Sequence, residues 1–232
     1  MITDGQKKIK VGVYGASGYA GQDAVEILSK HPCAELVFAT SSTYANQDVP
    51  FSSLKYIPHD TAPLSEVEAV FLALPHGVSA QKAKEALDAG SKVIDLSADF
   101  RLDTPESYQK WYNHAHPFPD MLPIPYGLPE LNREKLHNID LVAAPGCYPT
   151  TTILGAYPLL KAGWIEPGSV IVVDAKSGVS GAGRDPKPNL HFVEVYSNLS
   201  PYSVGRVHRH VGEIEQEFQK IDPNVGQIIF TP

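Results

Sequence analysis

A glycine-rich segment between a predicted strand and a predicted helix constrains the fold of this chain more than any other feature. The segment reads GASGYAG over residues 15–21 and follows an apolar, β-branched run over 9–14. Apolar residues at helical spacing over 23–29 and a second apolar run over 35–39 come next. Strand, glycine turn, helix and strand in this order form the βαβ unit of a parallel sheet. The sequence therefore predicts a doubly wound α/β domain at its start.

The glycine spacing is typical of a nucleotide-binding turn. The first glycine permits a tight turn, and the others let the backbone approach a phosphate and let the helix approach the strand. A glycine-rich turn without a ligand is the alternative, but a position between the first strand and the first helix is the context that nucleotide binding requires. The residues predicted to contact the cofactor are Gly15, Ser17, Gly18, Tyr19, Ala20 and Gly21.

The end of the second predicted strand indicates which nucleotide binds. Enzymes that prefer NAD usually carry a carboxylate there for the ribose 2′-hydroxyl. In this chain the strand is followed by Thr40, Ser41 and Ser42. Hydroxyl groups can donate to a 2′-phosphate, and no carboxylate is present to repel it. We therefore predict NADP as the cofactor, with Ser41 and Ser42 among its contacts.

The strand and helix pattern continues to about residue 144 and then changes. Strands are predicted at 69–74, 92–96 and 140–144, with a helix at 78–89. Residues 100–131 are rich in proline and aromatic residues with little periodicity, which predicts an irregular excursion, and loops of that length are usually functional. The remainder predicts helices at 150–162 and 213–220 and strands at 170–175 and 226–231. We place one domain over 1–148 and a second, of α+β type, over 149–232.

Cys147 lies in the run APGCYPT, just before the predicted helix at 150–162. Cysteine attacks as a thiolate, and the unsatisfied amides and the dipole of a helix N-terminus favour that anion. Gly146 permits a tight turn, and Pro149 suits the first turn of a helix. Most unpaired cysteines are small buried apolar residues, and Cys33 fits that description better. Cys147 is the predicted nucleophile.

Residues 205–210 read GRVHRH and gather two histidines and two arginines. A histidine can transfer a proton, and an arginine can hold a carboxylate or phosphate. In an extended segment, alternation would place His208 and His210 on one face and the arginines on the other. A solvated basic loop is the alternative. Spacing supplies no third ligand, so no metal site is predicted.

Residues 176–184 read KSGVSGAGR and combine hydroxyls, glycine amides and two cations. Such a segment suits a nest that binds an anion, and a flexible loop is the alternative. We predict anion binding.

The bulk composition limits the classes of partner. The formal net charge is −7 and no basic run is present, which argues against nucleic acid as a partner. No apolar stretch approaches the ~18 residues that a bilayer span needs, and the N-terminus lacks the pattern of a signal peptide. Two cysteines are too few for a disulfide framework. We predict a cytoplasmic protein that binds a small-molecule substrate.

Seven segments spread along the chain form one combined pattern. They read GASGYAG, LPHG, DLSADFR, YGLPE, PGCYPT, KSGVSGAGR and HRH, at residues 15–21, 74–77, 95–101, 126–130, 145–150, 176–184 and 208–210. Together they resemble the N-acetyl-gamma-glutamyl-phosphate reductase family of arginine biosynthesis. Seven such segments in the family's order are highly specific, and the resemblance covers the whole chain.

The resemblance implies a Rossmann-type doubly wound parallel sheet followed by an α+β catalytic and dimerisation domain of the semialdehyde dehydrogenase type. It implies NADPH-dependent reduction of an acyl phosphate to an aldehyde through a thioester on Cys147. One of His208 and His210 is implied as the acid/base residue, and the sequence does not choose between them. Substrate contacts are predicted for Arg101, Ser177, Arg184 and Arg209. Further cofactor contacts are predicted for His76, Gly77, Ser180 and Gly181.

Two alternatives stay open on the residues alone. A reductase of another acyl phosphate, of the aspartyl or aminoadipyl type, would use the same thiol and hydride chemistry. A nucleotide-binding protein without turnover would keep the fold. Family members are longer than this sequence, so the second domain is expected to be C-terminally incomplete. A homo-oligomer, dimer or tetramer, is expected for the full-length protein.

Overall fold

The computed structural model describes residues 7–232, so the N-terminal residues on which the absence of a signal peptide was predicted lie largely outside the described part. In chain order the strands are β1 (Ile9–Tyr14), β2 (Ala34–Ala39), β3 (Ala69–Leu72), β4 (Lys92–Asp95), β5 (Leu141–Ala143), β6 (Ile171–Asp174) and β7 (Ile228–Thr231). The helices are α1 (Tyr19–Lys30), α2 (Val78–Asp88), α3 (Pro105–Tyr112), α4 (Pro129–Asn132), α5 (Cys147–Lys161), α6 (Phe192–Val195) and α7 (His210–Ile221).

The chain divides into two compact units, neither of which is continuous in sequence. Of the described residues, the first unit comprises 7–103 together with 116–144, and the second comprises 104–115 together with 145–232. The predicted first domain includes 104–115, whereas the structure groups this segment with the second unit. The domain ranges 1–148 and 149–232 stay a prediction.

A parallel five-stranded sheet in the order β2-β1-β3-β4-β5 forms the centre of the first unit. Successive side chains of a strand point to opposite faces of the sheet, and these strands are mostly apolar, so apolar residues cover both faces. One core cluster joins strand residues such as Val70, Leu72 and Val93 to three alanines of α2. The other joins Val11 and Val13 to residues of α1. Helices on both faces of a parallel sheet are the doubly wound arrangement that the sequence predicts.

A two-stranded parallel sheet of β6 and β7 and the helices α3, α5 and α7 form most of the second unit. Its centre is the packing of α5 against α7, where Ile153, Ile214 and Phe218 are fully buried. Beta strands together with separate helices agree with the α+β type predicted for this part. Over residues 7–232, no helix has both the length and the apolar character to cross a membrane.

The excursion predicted over 100–131 is irregular only in part, because α3 lies within it. Thr104 caps this helix by accepting a hydrogen bond from the amide of Ser107, and Pro105 occupies its first turn. Asn113 ends it in the left-handed conformation, with φ of 61°. Tyr108 and Tyr112 on one face are buried. The prediction of an irregular segment was therefore wrong for these residues, since two aromatic residues four positions apart mark the buried face of a short helix.

Three helices begin earlier than predicted. Helix α1 begins at Tyr19, α5 at Cys147 and α7 at His210. The first turns of these helices carry glycine, tyrosine, proline or histidine, which do not extend the apolar spacing on which the predictions depended. The helix start is therefore set by backbone contacts that the spacing does not report.

Candidate active site

Two glycines of the segment 15–21 occupy positions that no other residue could take without moving the backbone. Gly15 has φ of +68°, and a Cβ atom there would lie 2.2 Å from the carbonyl oxygen of Ala73. A Cβ atom at Gly21 would lie 2.3 Å from the carbonyl oxygen of Gly15, so helix α1 packs directly on the turn. The hydroxyl Oγ1 of Thr40 accepts a hydrogen bond from the Gly15 amide at 3.2 Å. These contacts hold the turn in one conformation.

Gly18 is the N-cap residue of α1 and lies in open surroundings. A Cβ atom there would meet only the carbonyl oxygen of Gly15, at 3.5 Å. Glycine has no side chain to cap the helix, and the next residues, Tyr19 and Ala20, are exposed. An uncapped helix N-terminus beside an open glycine suits a phosphate group. The residues present therefore fit the pyrophosphate of a dinucleotide.

Ser41 and Ser42, the predicted contacts of the 2′-phosphate, differ in their surroundings. Ser41 is 2% exposed and its hydroxyl is 2.8 Å from that of Ser17. The same oxygen accepts the amides of residues 43 and 44 at 3.2 and 3.1 Å. Ser42 is exposed. Ser41 thus ties the glycine turn to the end of β2, and Ser42 has the more accessible hydroxyl.

An aspartate that the sequence analysis did not single out caps helix α2. Both carboxylate oxygens of Asp99 accept the Gly77 amide at 2.8 Å, and Oδ2 also accepts the Ala80 amide at 2.8 Å. Gly77 has φ of +82°, which favours glycine at this turn, and His76 before it is exposed. Asp99 lies in the segment 95–101 that carried the family resemblance, but no local pattern shows that its carboxylate returns to residues 77–80.

Arg101, a predicted substrate contact, is only 8% exposed. Its Nε donates to the carbonyl of Ala144 at 2.8 Å and its Nη2 donates to the carbonyl of Leu96 at 2.7 Å. These carbonyls follow strands β5 and β4, so the guanidinium joins two strand ends. The structure therefore gives Arg101 a structural contact immediately before the segment that leads to Cys147.

Cys147 is the first residue of α5, and it is exposed. The residue before it, Gly146, is the N-cap, and its amide donates to Oε1 of Glu213 at 2.8 Å. Glu213 lies on α7 and is 1% exposed. Thr150 closes the first turn, because its amide and its Oγ1 both donate to the Gly146 carbonyl, at 3.0 and 2.8 Å. The helix start that carries the thiol is therefore held from both sides.

Two histidines pack beside the residue that follows the cysteine. The rings of His208 and His210 lie 5.9 and 6.0 Å from the ring of Tyr148, centroid to centroid, and 4.7 Å from each other. The His210 amide donates to Nδ1 of His208 at 3.1 Å. Burial, with a smaller contribution from the charge of Arg209, lowers the pKa of His208 to about 4. His208 is therefore neutral near neutral pH, with its proton on Nε2.

Residues 205–210 are not an extended segment, although the two histidines do lie together. Residues 206–209 form turns, and Arg209 has helical φ and ψ of −58° and −25°. Arg206 binds Glu215, with Nη2 to Oε2 at 2.9 Å, and also binds the carbonyl of Ile228. Arg209 lies 5.7 Å over the ring of Tyr112. Because α7 starts at His210, the turn before it separates the two kinds of side chain.

The segment 176–184 is exposed throughout. Ser180 and Gly181 lie in a single 3-10 turn, Val179–Ala182, and Arg184 follows it. Ser177 accepts a hydrogen bond from the hydroxyl of Tyr148 at 2.7 Å. The predicted anion segment is therefore attached to the first turn of α5 through a residue that the sequence analysis did not single out.

Comparison with known proteins agrees with this geometry. A family model described as the semialdehyde dehydrogenase NAD binding domain matches residues 10–139, and one described as the semialdehyde dehydrogenase dimerisation domain matches 147–232. N-acetyl-gamma-glutamyl-phosphate reductase of Desulforudis audaxviator is 44% identical, over 97% of this chain and 67% of its own length. The enzyme of Moorella thermoacetica is 43% identical with the same coverage. The chain belongs to the N-acetyl-gamma-glutamyl-phosphate reductase family.

Solved structures agree on the fold of this N-acetyl-gamma-glutamyl-phosphate reductase family member. Aspartate semialdehyde dehydrogenase II of Vibrio cholerae has a TM-score of 0.71 at 19% identity, over 97% of this chain and 70% of that one. Aspartate semialdehyde dehydrogenase with NADP from Candida albicans has a TM-score of 0.64 at 15% identity, over 97% and 67%. The predicted family resemblance and the predicted fold class are both confirmed.

Proposed function

We propose that this chain carries the residues for NADPH-dependent reduction of N-acetyl-gamma-glutamyl phosphate to N-acetylglutamate 5-semialdehyde and phosphate. The observation that carries the proposal is the exposed thiol of Cys147 at the start of α5, beside two histidines, in a chain of this family. A helix N-terminus favours the thiolate. The substrate, a small molecule, comes from the names of the curated relatives.

In the proposed mechanism, the Cys147 thiolate attacks the acyl carbon and a carbon–sulfur bond forms. The carbon–oxygen bond to phosphate breaks, and phosphate leaves with the electron pair. When bound, NADPH supplies the hydride that reduces the resulting thioester, and the aldehyde forms as sulfur leaves. Covalent catalysis replaces one difficult step with two easier ones. A nearby acid/base group must protonate and deprotonate the oxygen that was the carbonyl.

We assign that acid/base role to His210 instead of His208. A neutral imidazole has one nitrogen that accepts a proton, and in His208 this nitrogen, Nδ1, accepts the amide of His210. Its low pKa, about 4, also keeps the protonated form scarce near neutral pH. His208 therefore orients the start of α7, and His210, the first residue of that helix, is left to transfer the proton.

NADP is the proposed cofactor. The open backbone at Gly18 and the uncapped start of α1 suit the pyrophosphate, and the residues after β2 carry hydroxyls without a carboxylate. The family model for the NAD binding domain covers the same residues. The predicted cofactor contacts stay Gly15, Ser17, Gly18, Tyr19, Ala20, Gly21, Ser41, Ser42, His76, Gly77, Ser180 and Gly181. Predictions also remain for the substrate contacts Arg101, Ser177, Arg184 and Arg209, for a homo-oligomeric state and for a cytoplasmic location.

The test is the reverse reaction, the phosphate-dependent reduction of NADP with N-acetylglutamate semialdehyde. Cys147→Ser should lose nearly all activity, because a serine alkoxide is not available at neutral pH as a thiolate is. Cys33→Ser, which changes the other thiol, is the matched control and should keep the parent rate. Aspartate semialdehyde and the aminoadipate analogue in parallel assays distinguish the related acyl phosphates. Activity of Cys147→Ser within a few-fold of the parent would overturn the nucleophile assignment.

A further inference from the structure

Three hydroxyl groups of the second unit form a directed chain of hydrogen bonds. The hydroxyl of Tyr202 donates to that of Tyr148 at 3.3 Å, and the hydroxyl of Tyr148 donates to Oγ of Ser177 at 2.7 Å. The first residue lies in the segment before the histidines, the second follows the nucleophile, and the third belongs to the predicted anion segment 176–184. These hydrogen bonds therefore connect three parts of the unit that are distant in sequence.

The direction of these hydrogen bonds determines whether the Ser177 hydroxyl can act as a donor to another group. A phenol has one proton, and Tyr148 donates it to Ser177. The Ser177 oxygen is therefore an acceptor in this bond, and its own proton is available for another acceptor. Ser177 is exposed, so that acceptor can be a ligand. Successive hydrogen bonds polarise one another, which strengthens the last donor of the chain.

Packing fixes the position of the middle hydroxyl. Tyr148 is 6% exposed, and its ring meets that of Phe230 edge to face at 5.2 Å between centroids. The rings of His208 and His210 also meet it edge to face, at 5.9 and 6.0 Å between centroids. The aromatic ring cannot shift without disturbing these neighbours. Because Tyr148 is adjacent to Cys147, these hydrogen bonds hold Ser177 at a constant position relative to the first turn of α5.

We propose that Tyr148 is a positioning residue that, through Ser177, aligns the segment 176–184 so that the Ser177 hydroxyl donates to an oxygen of the substrate's phosphate group. Tyr202 orients the Tyr148 hydroxyl from the other side. The proposal rests on the proposed function for the identity of the anion. Burial and the hydrogen bond with Tyr148 raise the pKa of Tyr202 above its usual value, so Tyr202 keeps its proton.

The experiment measures how inorganic phosphate protects Cys147 from iodoacetamide, with alkylation of the Cys147 peptide followed by mass spectrometry. Tyr148→Phe keeps the ring and removes the hydroxyl, and Ser177→Ala removes the terminal donor. Each should raise the phosphate concentration for half-protection about tenfold, as expected for a hydrogen bond to a charged group. Tyr157→Phe on the same helix, whose hydroxyl contacts Lys161, is the matched control and should leave protection unchanged.

The double variant Tyr148→Phe/Ser177→Ala tests whether Tyr148 acts through Ser177 or affects phosphate binding independently of it. If Tyr148 acts through Ser177, the double variant should resemble Ser177→Ala to within about twofold, whereas independent effects would multiply. Without phosphate, the alkylation rate of Cys147 should be the same in Tyr148→Phe and the parent. A multiplied effect, an unchanged Tyr148→Phe, or a parent thiol that phosphate fails to protect would each overturn the proposal.

Turnover distinguishes this proposal from the proposed function. In the reverse reaction, Tyr148→Phe should raise the KM for phosphate about tenfold and leave kcat within about threefold. A parent protein that is inactive with N-acetylglutamate semialdehyde would contradict the proposed substrate. The phosphate protection of Cys147 would still decide the role of Tyr148, because that measurement needs neither NADP nor the aldehyde.

Discussion

The residues around Cys147 differ in the groups to which they hydrogen-bond. Glu213 holds the amide of Gly146 from α7, and Tyr148 extends toward Ser177. His208 uses its acceptor nitrogen on the backbone. The residues adjacent to Cys147 therefore mainly hold it and its neighbours in place, and His210 is the proposed proton carrier.

Substitution of the two histidines tests this division. His210→Asn should lower kcat by about 10²–10⁴-fold, the range for loss of a general acid or base. His208→Asn should lower it by less than about tenfold, since asparagine can still accept the amide of residue 210. Steady-state kinetics of the reverse reaction provide the measurement. A larger fall for His208→Asn would reverse the assignment.

His208 also predicts how stability depends on pH. Its pKa in the folded protein is about 4, below the usual 6.5, so the unfolded chain binds the proton more readily. Folding stability from this residue is therefore complete above pH 6.5 and is lost as the pH falls toward 4. Urea unfolding at pH ~7 and ~4.5 should show a larger loss for the parent than for His208→Asn. An equal loss in both proteins would contradict the assignment of this pKa.

Among the helices, the N-termini hold several of the predicted functional residues. Helix α1 begins beside an open glycine, α2 is capped by Asp99, and α5 begins with the predicted nucleophile, Cys147. At the start of α2, the carboxylate of Asp99 already supplies the negative charge that a helix N-terminus favours. At the start of α1, Gly18 provides no side-chain cap. The capping pattern thus indicates which helix start suits a phosphate.

Two glycines of the first turn should respond differently to substitution. Gly21→Ala places a Cβ atom 2.3 Å from the carbonyl oxygen of Gly15, so the backbone must move, and the free energy of unfolding should fall by about 1–3 kcal/mol. At Gly18 the nearest atom is at 3.5 Å, so Gly18→Ala needs no backbone movement and should cost only the difference between glycine and alanine at an N-cap, about 1 kcal/mol or less.

Gly18→Ala, which should affect stability less than Gly21→Ala, should instead weaken the binding of NADPH. The methyl group of Gly18→Ala occupies the open side where the pyrophosphate is proposed to bind, so the Kd for NADPH should rise while the fold is kept. Urea unfolding and titration of NADPH fluorescence provide the two measurements. Equal stability of the two variants would show that α1 does not pack on Gly15 as described.

At the scale of the whole molecule, the second unit depends on a segment that precedes its main part by some thirty residues, 104–115. Trp111 of α3 lies against the backbone of α7, where a Cβ atom at Gly212 would be 2.2 Å from the indole Nε1. Arg209 covers the ring of Tyr112 on the same helix. Helix α3 is therefore part of the structure that supports the histidine segment.

The two tryptophans of the chain test this organisation. Trp111→Ala should lower the free energy of unfolding by about 3 kcal/mol, because the indole that fills the space beside Gly212 is lost. Trp164 is 78% exposed, so Trp164→Ala is the control and should change stability by less than about 0.5 kcal/mol. Circular dichroism in urea measures both. Similar stability of the two variants would show that α3 contributes little to the second unit.

The strands of the parallel sheet, the glycine turn, the predicted nucleophile and the family all follow from the sequence alone. These features depend on residues that are neighbours in sequence, so spacing and composition report them. Only the folded structure shows which distant groups support the site. Glu213 meets Gly146 across 67 positions and Tyr148 meets Ser177 across 29, and helix α3 joins the second unit. Such contacts arise only when packing brings separate elements together, and no local pattern encodes them.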